Sequence, residues 1–314
     1  MSSAPELARR EGAVLGSIVA DAATMGLHWI YQADKMAALL KSKGKEANPE
    51  FFEPPSCPFY EMPSGALSPY GAEVAALLQY ADKQGKQGLE GASWAKALAS
   101  YFLDTYPGYR NKSIKTLIAN LEAGKSYPDV GDDADTQANM LCKVPVVVAR
   151  FAGSPELPAA AEAAVRAQQS SETAVQYGLA AARILERVVQ GSSVAEAINW
   201  ARAAPEVPAA ARDAIAKAAD AAASPAPFAE VVAGFGSSCA MPGALQNALV
   251  AAQRATSYED GVRANLVAGG DNASRACYLG ALLGAAYGGP PASWAERVTG
   301  FAAFAAAAER VAKV

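Results

Sequence analysis

The sequence predicts an all-α fold: a single globular domain, spanning residues 1–314, of roughly a dozen helices. Apolar residues recur every three or four positions in segment after segment, as on the buried face of a helix. Period-two alternation, the signal of a half-buried strand, is nearly absent. With 52% hydrophobic and 18% charged residues, the chain can build a substantial core.

Charge and cysteine usage exclude several classes of protein. The formal net charge is −4 without clusters of basic residues, so neither nucleic acid nor membrane is an expected partner. No apolar run reaches the ~20 residues that cross a bilayer. The first residues lack the basic-then-apolar order of a signal peptide, and we expect a cytoplasmic protein. The four cysteines form no Cys-x-x-Cys pair and are expected to be free thiols.

The chain has one histidine, His28, which rules out a multi-histidine zinc site. It lies between Leu27 and Trp29, with no activated nucleophile beside it in sequence. We interpret it as a packed histidine whose ring nitrogens are both satisfied. A catalytic base is the alternative.

The first helix is predicted over residues 6–28. Gly12, Gly16 and Ala20 form a stripe of small residues that suits close packing against another helix. Asp21 interrupts the apolar face, and we interpret it as an acceptor of hydrogen bonds that hold a neighbouring loop.

A second helix is predicted over residues 34–42, and residues 43–67 then interrupt the helical pattern. Five prolines in this span forbid a regular helix. Its aromatic residues are too many for a disordered linker: Phe51, Phe52, Phe59 and Tyr60. Such a loop packs its rings against the domain. The rings either stack on a planar ligand or only anchor the loop, and both readings stay open.

The next helix begins after Ser68 and carries Val74, Leu77 and Leu78 on one face. Further helices are predicted, separated by Pro and Gly, over residues 93–105, 112–123, 137–151, 158–169, 172–190, 194–203, 209–223 and 238–249.

Residues 129–137 form an acidic loop with four aspartates. It lacks the glycine and the closing glutamate of an EF-hand at their required positions. Asp135 or Thr136 would cap the next helix. Asp132 and Asp133 are candidates to line a ligand pocket, with simple capping as the alternative.

Residues 267–288 are the stretch that the rest of the chain is organised around. Gly269 and Gly270 allow a tight turn, and Asp271 follows where an N-cap acceptor belongs, with Ser274 three residues on. A capped core helix explains this pattern without a ligand. A helix N-terminus that presents polar groups to a ligand is the other reading.

The helix that follows contains Gly280 and Gly284, which allow a neighbouring helix to approach closely. Gly288 and the prolines after it end the helix. Flanking helices are predicted over residues 257–266 and 292–311.

These residues carry a family resemblance. Gly269-Gly270-Asp271, followed by an Ala/Gly-rich helix that ends in Tyr287-Gly288, resembles the C-terminal signature of the ADP-ribosylglycohydrolase superfamily, Gly-Gly-Asp-Thr-Asp-Thr. Residues 26–31 and 51–54 most resemble its J-crystallin and selenoprotein J branch. The resemblance runs from about residue 12 to residue 288 and implies an ADP-ribosylglycohydrolase-like all-α fold.

Hydrolases of that superfamily hold two Mg²⁺ ions between an early Thr-Asp-Asp-Thr and a late Asp-x-Asp-Thr motif. At the early position this chain reads Ser68-Pro-Tyr-Gly71, and at the second late carboxylate it has Ala273. Asp271 and Ser274 remain as a vestige of the late motif. The resemblance therefore implies a degenerate metal site. No cofactor is expected, and Mg²⁺ is expected only if the chain is an active hydrolase.

Two classes of function follow from the resemblance. The first is a non-catalytic protein, either crystallin-like or a binder of ADP-ribose or a related nucleotide. The alternative is an active hydrolase of ADP-ribosyl or related glycosidic bonds by a modified mechanism. The acid–base candidates are Asp271, Glu73 and Asp21. The ligand-binding candidates are Gly269, Gly270, Asp271, Asn272, Ser274, Tyr70, Gly71, Asp132 and Asp133. The oligomeric state is not predicted.

Overall fold

The computed structural model describes residues 3–314, and within them the chain forms sixteen α-helices. Their bounds are α1 Ala4–Met25, α2 Ala33–Ser42, α3 Pro69–Gln84, α4 Gly91–Ser100, α5 Lys112–Glu122, α6 Val144–Phe151, α7 Leu157–Arg166, α8 Glu172–Val189, α9 Val194–Ala201, α10 Ala209–Ala223, α11 Phe228–Phe235, α12 Gly243–Arg254, α13 Tyr258–Val267, α14 Asn272–Tyr287, α15 Ala292–Ala295 and α16 Phe301–Ala312. A π-helical turn, Tyr101–Thr105, extends α4, and a 3₁₀ helix, Ala138–Cys142, precedes α6. The all-α prediction is confirmed.

Two predicted helices are each divided in the structure. The segment 137–151 becomes the 3₁₀ helix and α6, because Pro145 has no N–H for an intrahelical bond and is tolerated only in a first turn. The segment 292–311 becomes α15 and α16, which Gly300 separates with a left-handed φ of 76°. The helix α11 was not predicted. The helix predicted from residue 238 begins at Gly243, after Pro242.

Helices α1 and α14 pack face to face, and their small residues meet. A Cβ atom added at Gly16 would lie 2.2 Å from the carbonyl oxygen of Gly280. One added at Gly284 would lie 2.0 Å from the carbonyl oxygen of Gly12. The prediction that both stripes serve close helix packing is confirmed, because any side chain larger than hydrogen would collide with the facing backbone.

One large hydrophobic cluster, built around α1, α3, α6, α8, α12 and α14, forms the core. All four cysteines are free, and Cys142 and Cys277 are buried in this core. No helix between residues 3 and 314 is long and apolar enough to cross a bilayer.

The segment between α2 and α3 has no helix, as its prolines predicted. Phe51 and Phe52 are buried, and Phe51 packs edge-on against Trp294 at a ring-centroid distance of 5.9 Å. These two rings therefore anchor the loop. Phe59 is different, because 64% of its surface is exposed.

Candidate functional site

The carboxylate of Asp271 occupies the N-cap of α14, where the sequence placed it. Gly269 and Gly270 precede it with φ values of 71° and 67°, in the left-handed region that glycine adopts without strain. The amide of Gly270 donates to Ile30 O at 2.7 Å, and that of Asp271 donates to Ser237 O at 2.8 Å. These two hydrogen bonds attach the turn to the loops that contain Ile30 and Ser237.

Both oxygens of Asp271 accept hydrogen bonds from other segments of the chain. Oδ1 accepts from His28 Nε2 at 2.8 Å and from the Ser274 amide at 3.3 Å. Oδ2 accepts from Trp29 Nε1 at 2.9 Å and from the Tyr70 hydroxyl at 3.0 Å. Four protein donors therefore surround a carboxylate that is fully buried.

The donors keep this carboxylate ionised. Burial alone would raise the pKa of Asp271, but the interaction with His28 and the hydrogen bonds from His28 and Trp29 outweigh it and lower the pKa to about 2. Arg275, one turn into α14, is also fully buried. It donates to Asn265 Oδ1 at 2.8 Å and to the carbonyl oxygen of Gly269 at 2.6 Å, so the turn before α14 encloses a buried cation as well.

His28 links Asp271 to the aromatic loop. The imidazole is fully buried, and both nitrogens are bonded, as the sequence interpretation expected. Its Nδ1 lies 2.7 Å from the hydroxyl of Tyr60. Because an ionised carboxylate only accepts, Nε2 carries the hydrogen, and in the neutral ring the Tyr60 hydroxyl donates to Nδ1. Burial raises the pKa of Tyr60 well above its usual value, so this hydroxyl stays protonated.

Asp21 lies in a separate set of hydrogen bonds. Its Oδ2 accepts from the amide of Ser68 at 2.8 Å, and its Oδ1 accepts from the Ser68 hydroxyl. The thiol of Cys277 is 3.7 Å from Oδ1. Gly71 packs against the same carboxylate, since a Cβ there would lie 2.0 Å from Oδ2. The loop before α3 is therefore held in place by Asp21, as predicted.

Asp21 should make the protein less stable as the pH rises. Burial, only partly offset by the bonds from Ser68, raises its pKa from 3.8 to about 6. The unfolded chain ionises first, so stability falls from about pH 4 and the loss is complete above about pH 6. A shift of this size amounts to roughly 3 kcal/mol.

Urea unfolding of the wild type and of Asp21→Asn, at about pH 4 and about pH 8, measures this effect. The wild type should lose stability relative to the variant over that interval. A difference between the two proteins that does not change with pH would contradict the raised pKa.

Glu73, the third acid–base candidate, shares no hydrogen-bond partner with Asp271. Its carboxylate is fully buried, forms an ion pair with Lys143, and accepts from Asn111 Nδ2 at 2.8 Å and Asn139 Nδ2 at 2.7 Å. The three candidate carboxylates thus lie in three separate clusters.

The remaining ligand-binding candidates divide into two groups. Ser274 and Asn272 serve the turn itself: the Ser274 hydroxyl donates to Asp271 O at 2.9 Å, and Asn272 Nδ2 donates to Leu27 O at 3.1 Å. Asp132 belongs to another loop, where it accepts from Thr116 Oγ1 at 3.0 Å. Asp133 is exposed. Neither aspartate bonds to a group around Asp271.

Aromatic rings cover the Asp271 cluster. The indole of Trp29 stacks on His28 at a centroid distance of 4.2 Å. Phe59 and Tyr109 meet the same indole edge-on at 5.1 and 5.4 Å. Trp29 has a φ of 62°, a left-handed conformation that is strained for an aromatic residue. This strained backbone directs the indole N–H to Asp271.

Sequence reasoning missed three partners of this site. His28 was interpreted as a packed histidine, Trp29 was given no role, and Tyr60 was assigned to a loop of undecided role. The available signal was that they are polar aromatic residues that need hydrogen-bond partners when buried. Nothing in the sequence identified Asp271 as that partner, because it is 243 residues away from His28.

The residues present do not fit a pair of Mg²⁺ ions. Hard divalent cations need about six oxygen ligands each. The groups around Asp271 are instead donors: an imidazole, an indole, a phenol and an amide. From residue 3 to residue 314, no three His, Cys, Asp or Glu side chains converge as metal ligands would.

Comparison with known proteins agrees with the fold. A family model described as ADP-ribosylglycohydrolase matches residues 2–314. Crystallin J1A of Tripedalia cystophora is 26% identical, with 95% of this chain and 94% of the crystallin covered, and Crystallin J1B of the same organism is also 26% identical. A solved structure titled "ADP-ribosylglycohydrolase-related protein complex" superimposes with a TM-score of 0.70 over 98% of both chains, at 18% identity. The chain belongs to the ADP-ribosylglycohydrolase family.

Proposed function

We propose that this chain is a non-catalytic, crystallin-like member of its family, in which the Asp271 centre stabilises the fold and holds no metal. One observation carries the proposal: both oxygens of Asp271 are bound by four protein donors. A Mg²⁺ ion at ~2.0–2.1 Å from the same oxygens would face the hydrogens of those donors. The ion could bind only after all of them had moved away.

The other residues at the two motif positions support the same conclusion. At the early motif, the side chain of Pro69 has no oxygen that could bind a metal, and the hydroxyl of Tyr70 donates to Asp271. The amides of Gly270 and Asp271 donate to carbonyl groups of the protein, so they do not form a free cradle for phosphate. Asp21 and Glu73 are engaged in other clusters, so neither is a second carboxylate beside Asp271 that could activate water.

We therefore expect no Mg²⁺-dependent release of ADP-ribose from modified arginine or serine peptides. The measurement is product formation with Mg²⁺ and with EDTA, for the wild type and for Asp271→Ala. Turnover by the wild type that disappears with EDTA would overturn the proposal. Turnover that survives EDTA would support the alternative, an active hydrolase of ADP-ribosyl or related bonds by a modified mechanism.

A second candidate, binding of ADP-ribose or a related nucleotide without catalysis, is favoured by one observation. Phe59 is 64% exposed and lies beside Trp29 and Tyr109, where a planar base could stack. Thermal shifts with ADP-ribose, AMP and buffer separate the two candidates. A crystallin-like protein should show no shift. A shift with ADP-ribose that is lost in Phe59→Ala would establish the binder.

A further inference from the structure

The cluster around Glu73 lies in the core and has no part in the proposed function. It consists of polar side chains from α3, from residues 111–113 where α5 begins, from the 3₁₀ helix and the residue that follows it, and from the segment after α7. Each of these side chains is at most 7% exposed. The residues are Glu73, Asn111, Ser113, Asn139, Lys143 and Gln168. Burying an ion pair costs several kcal/mol for each ion, and well-packed apolar residues often do as well. Packing alone therefore does not account for the charges.

Oxygen atoms surround the ammonium group of Lys143. The group donates to Glu73 Oε2, to Gln168 Oε1 and to the carbonyl oxygen of Asn139, the last at 3.2 Å. An ammonium group has three hydrogens, so each finds one oxygen. The side chain is 1% exposed.

The Glu73 carboxylate is held by donors other than Lys143. Asn139 is fully buried, and its Nδ2 donates to Glu73 Oε1 at 2.7 Å, which fixes the amide beside the carboxylate. Its Oδ1 is buried and accepts from no group in residues 3–314. Gln168 and Asn111 donate to the same Glu73 oxygen at 2.9 and 2.8 Å, so the carboxylate is held rigidly.

We propose that the Glu73 cluster is a binding site for a monovalent, ammonium-type cation, and that the chain fills it with its own Lys143. The three oxygens on the ammonium group come from one carboxylate, one side-chain amide and one backbone carbonyl, and oxygen is the ligand atom that hard cations take. A single negative charge matches a single positive one. The role of Lys143 is then to deliver the ammonium group, and the four-carbon stem only tethers it.

Chemical rescue tests this assignment. Lys143→Ala removes three carbons and the ammonium group, and n-propylammonium supplies these same atoms. The variant should lose roughly 10 °C in Tm, because an unpaired carboxylate is left in the core. Propylammonium should recover much of that loss in a concentration-dependent way, as a ligand specific for the folded state does. Equal concentrations of 1-propanol, which has the same shape without the charge, should not.

Glu73→Gln/Lys143→Ala is the control variant, since it lacks the anion. There the amine should have no advantage over the alcohol. If Lys143→Ala does not fold alone, the same comparison is made on the yield of protein refolded with each additive. Three results would overturn the proposal: an unchanged Tm in Lys143→Ala, equal effects of amine and alcohol, or equal rescue of the double variant.

Discussion

Gly284→Leu is expected to lower the free energy of unfolding by about 5 kcal/mol, a large share of the total for a protein of this kind. The new Cβ would lie 2.0 Å from the carbonyl oxygen of Gly12, and the rest of the leucine has no space between α1 and α14. The facing atoms belong to helix backbone, which cannot rotate away as a flexible side chain can. The two helices would have to separate.

The matched control is Gly234→Leu. Gly234 lies in α11, and a Cβ added there meets no atom within 4 Å. Removing a glycine from a helix is favourable by up to about 1 kcal/mol, so this variant should be as stable as the wild type or slightly more stable. Urea unfolding of both variants measures the difference. Equal stability of the two would show that α1 and α14 do not pack as closely as the structure has them.

Asp271→Ala is expected to cost about 3–5 kcal/mol. The substitution would leave His28, Trp29 and Tyr70 without their common acceptor in the core. A buried donor without a partner costs about 1–3 kcal/mol. Small movements of the three rings would reduce the sum of these costs. The charge of Arg275, also fully buried, would lose its nearby carboxylate.

Asp133→Ala is the control, because Asp133 is exposed and its loss should change stability by less than about 0.5 kcal/mol. The acid dependence gives an independent check. The pKa of Asp271 is lowered from 3.8 to about 2, so its contribution is present above about pH 3.8 and is lost as the pH falls through about 2. Urea unfolding at neutral and at acid pH would measure it. A stable Asp271→Ala protein would contradict a structural role and favour a functional one.

If this variant is unstable yet the wild type shows no Mg²⁺-dependent turnover, the carboxylate serves structure alone. The hydrogen bonds that Asp271 accepts from the protein would then be its role. The partners come from the loop after α1 and from the start of α3, the two segments adjoining α14 at its N-terminus.

Local features could be predicted because their causes are local. The N-cap role of Asp271 follows from the residues that adjoin it, and the structure confirms it, with Asp271 Oδ1 accepting the Ser274 amide at 3.3 Å. The amphipathic helix predicted over residues 112–123 is Lys112–Glu122 in the structure. Boundaries were wrong where a single Pro or Gly interrupts a continuing apolar pattern, as at Pro145 and Gly300.

The partners of charged residues could not be predicted in the same way. Glu73 and Lys143 are 70 residues apart, and neither has a neighbour in sequence that marks the other. A buried charge needs an opposite charge and hydrogen-bond partners, but any of many residues could supply them. Only the packing of α3 against the segment before α6 selects this pair.

The same division holds for the helix pair at the centre of the fold. The sequences of α1 and α14 determine that each helix has a stripe of small residues on one face, because the spacing of glycines along a helix is a local property. That the two stripes face each other, with Gly16 against Gly280, was decided by the tertiary structure. Which helix surfaces meet depends on how all the helices pack together in the core. The sequence of a single segment does not determine this packing.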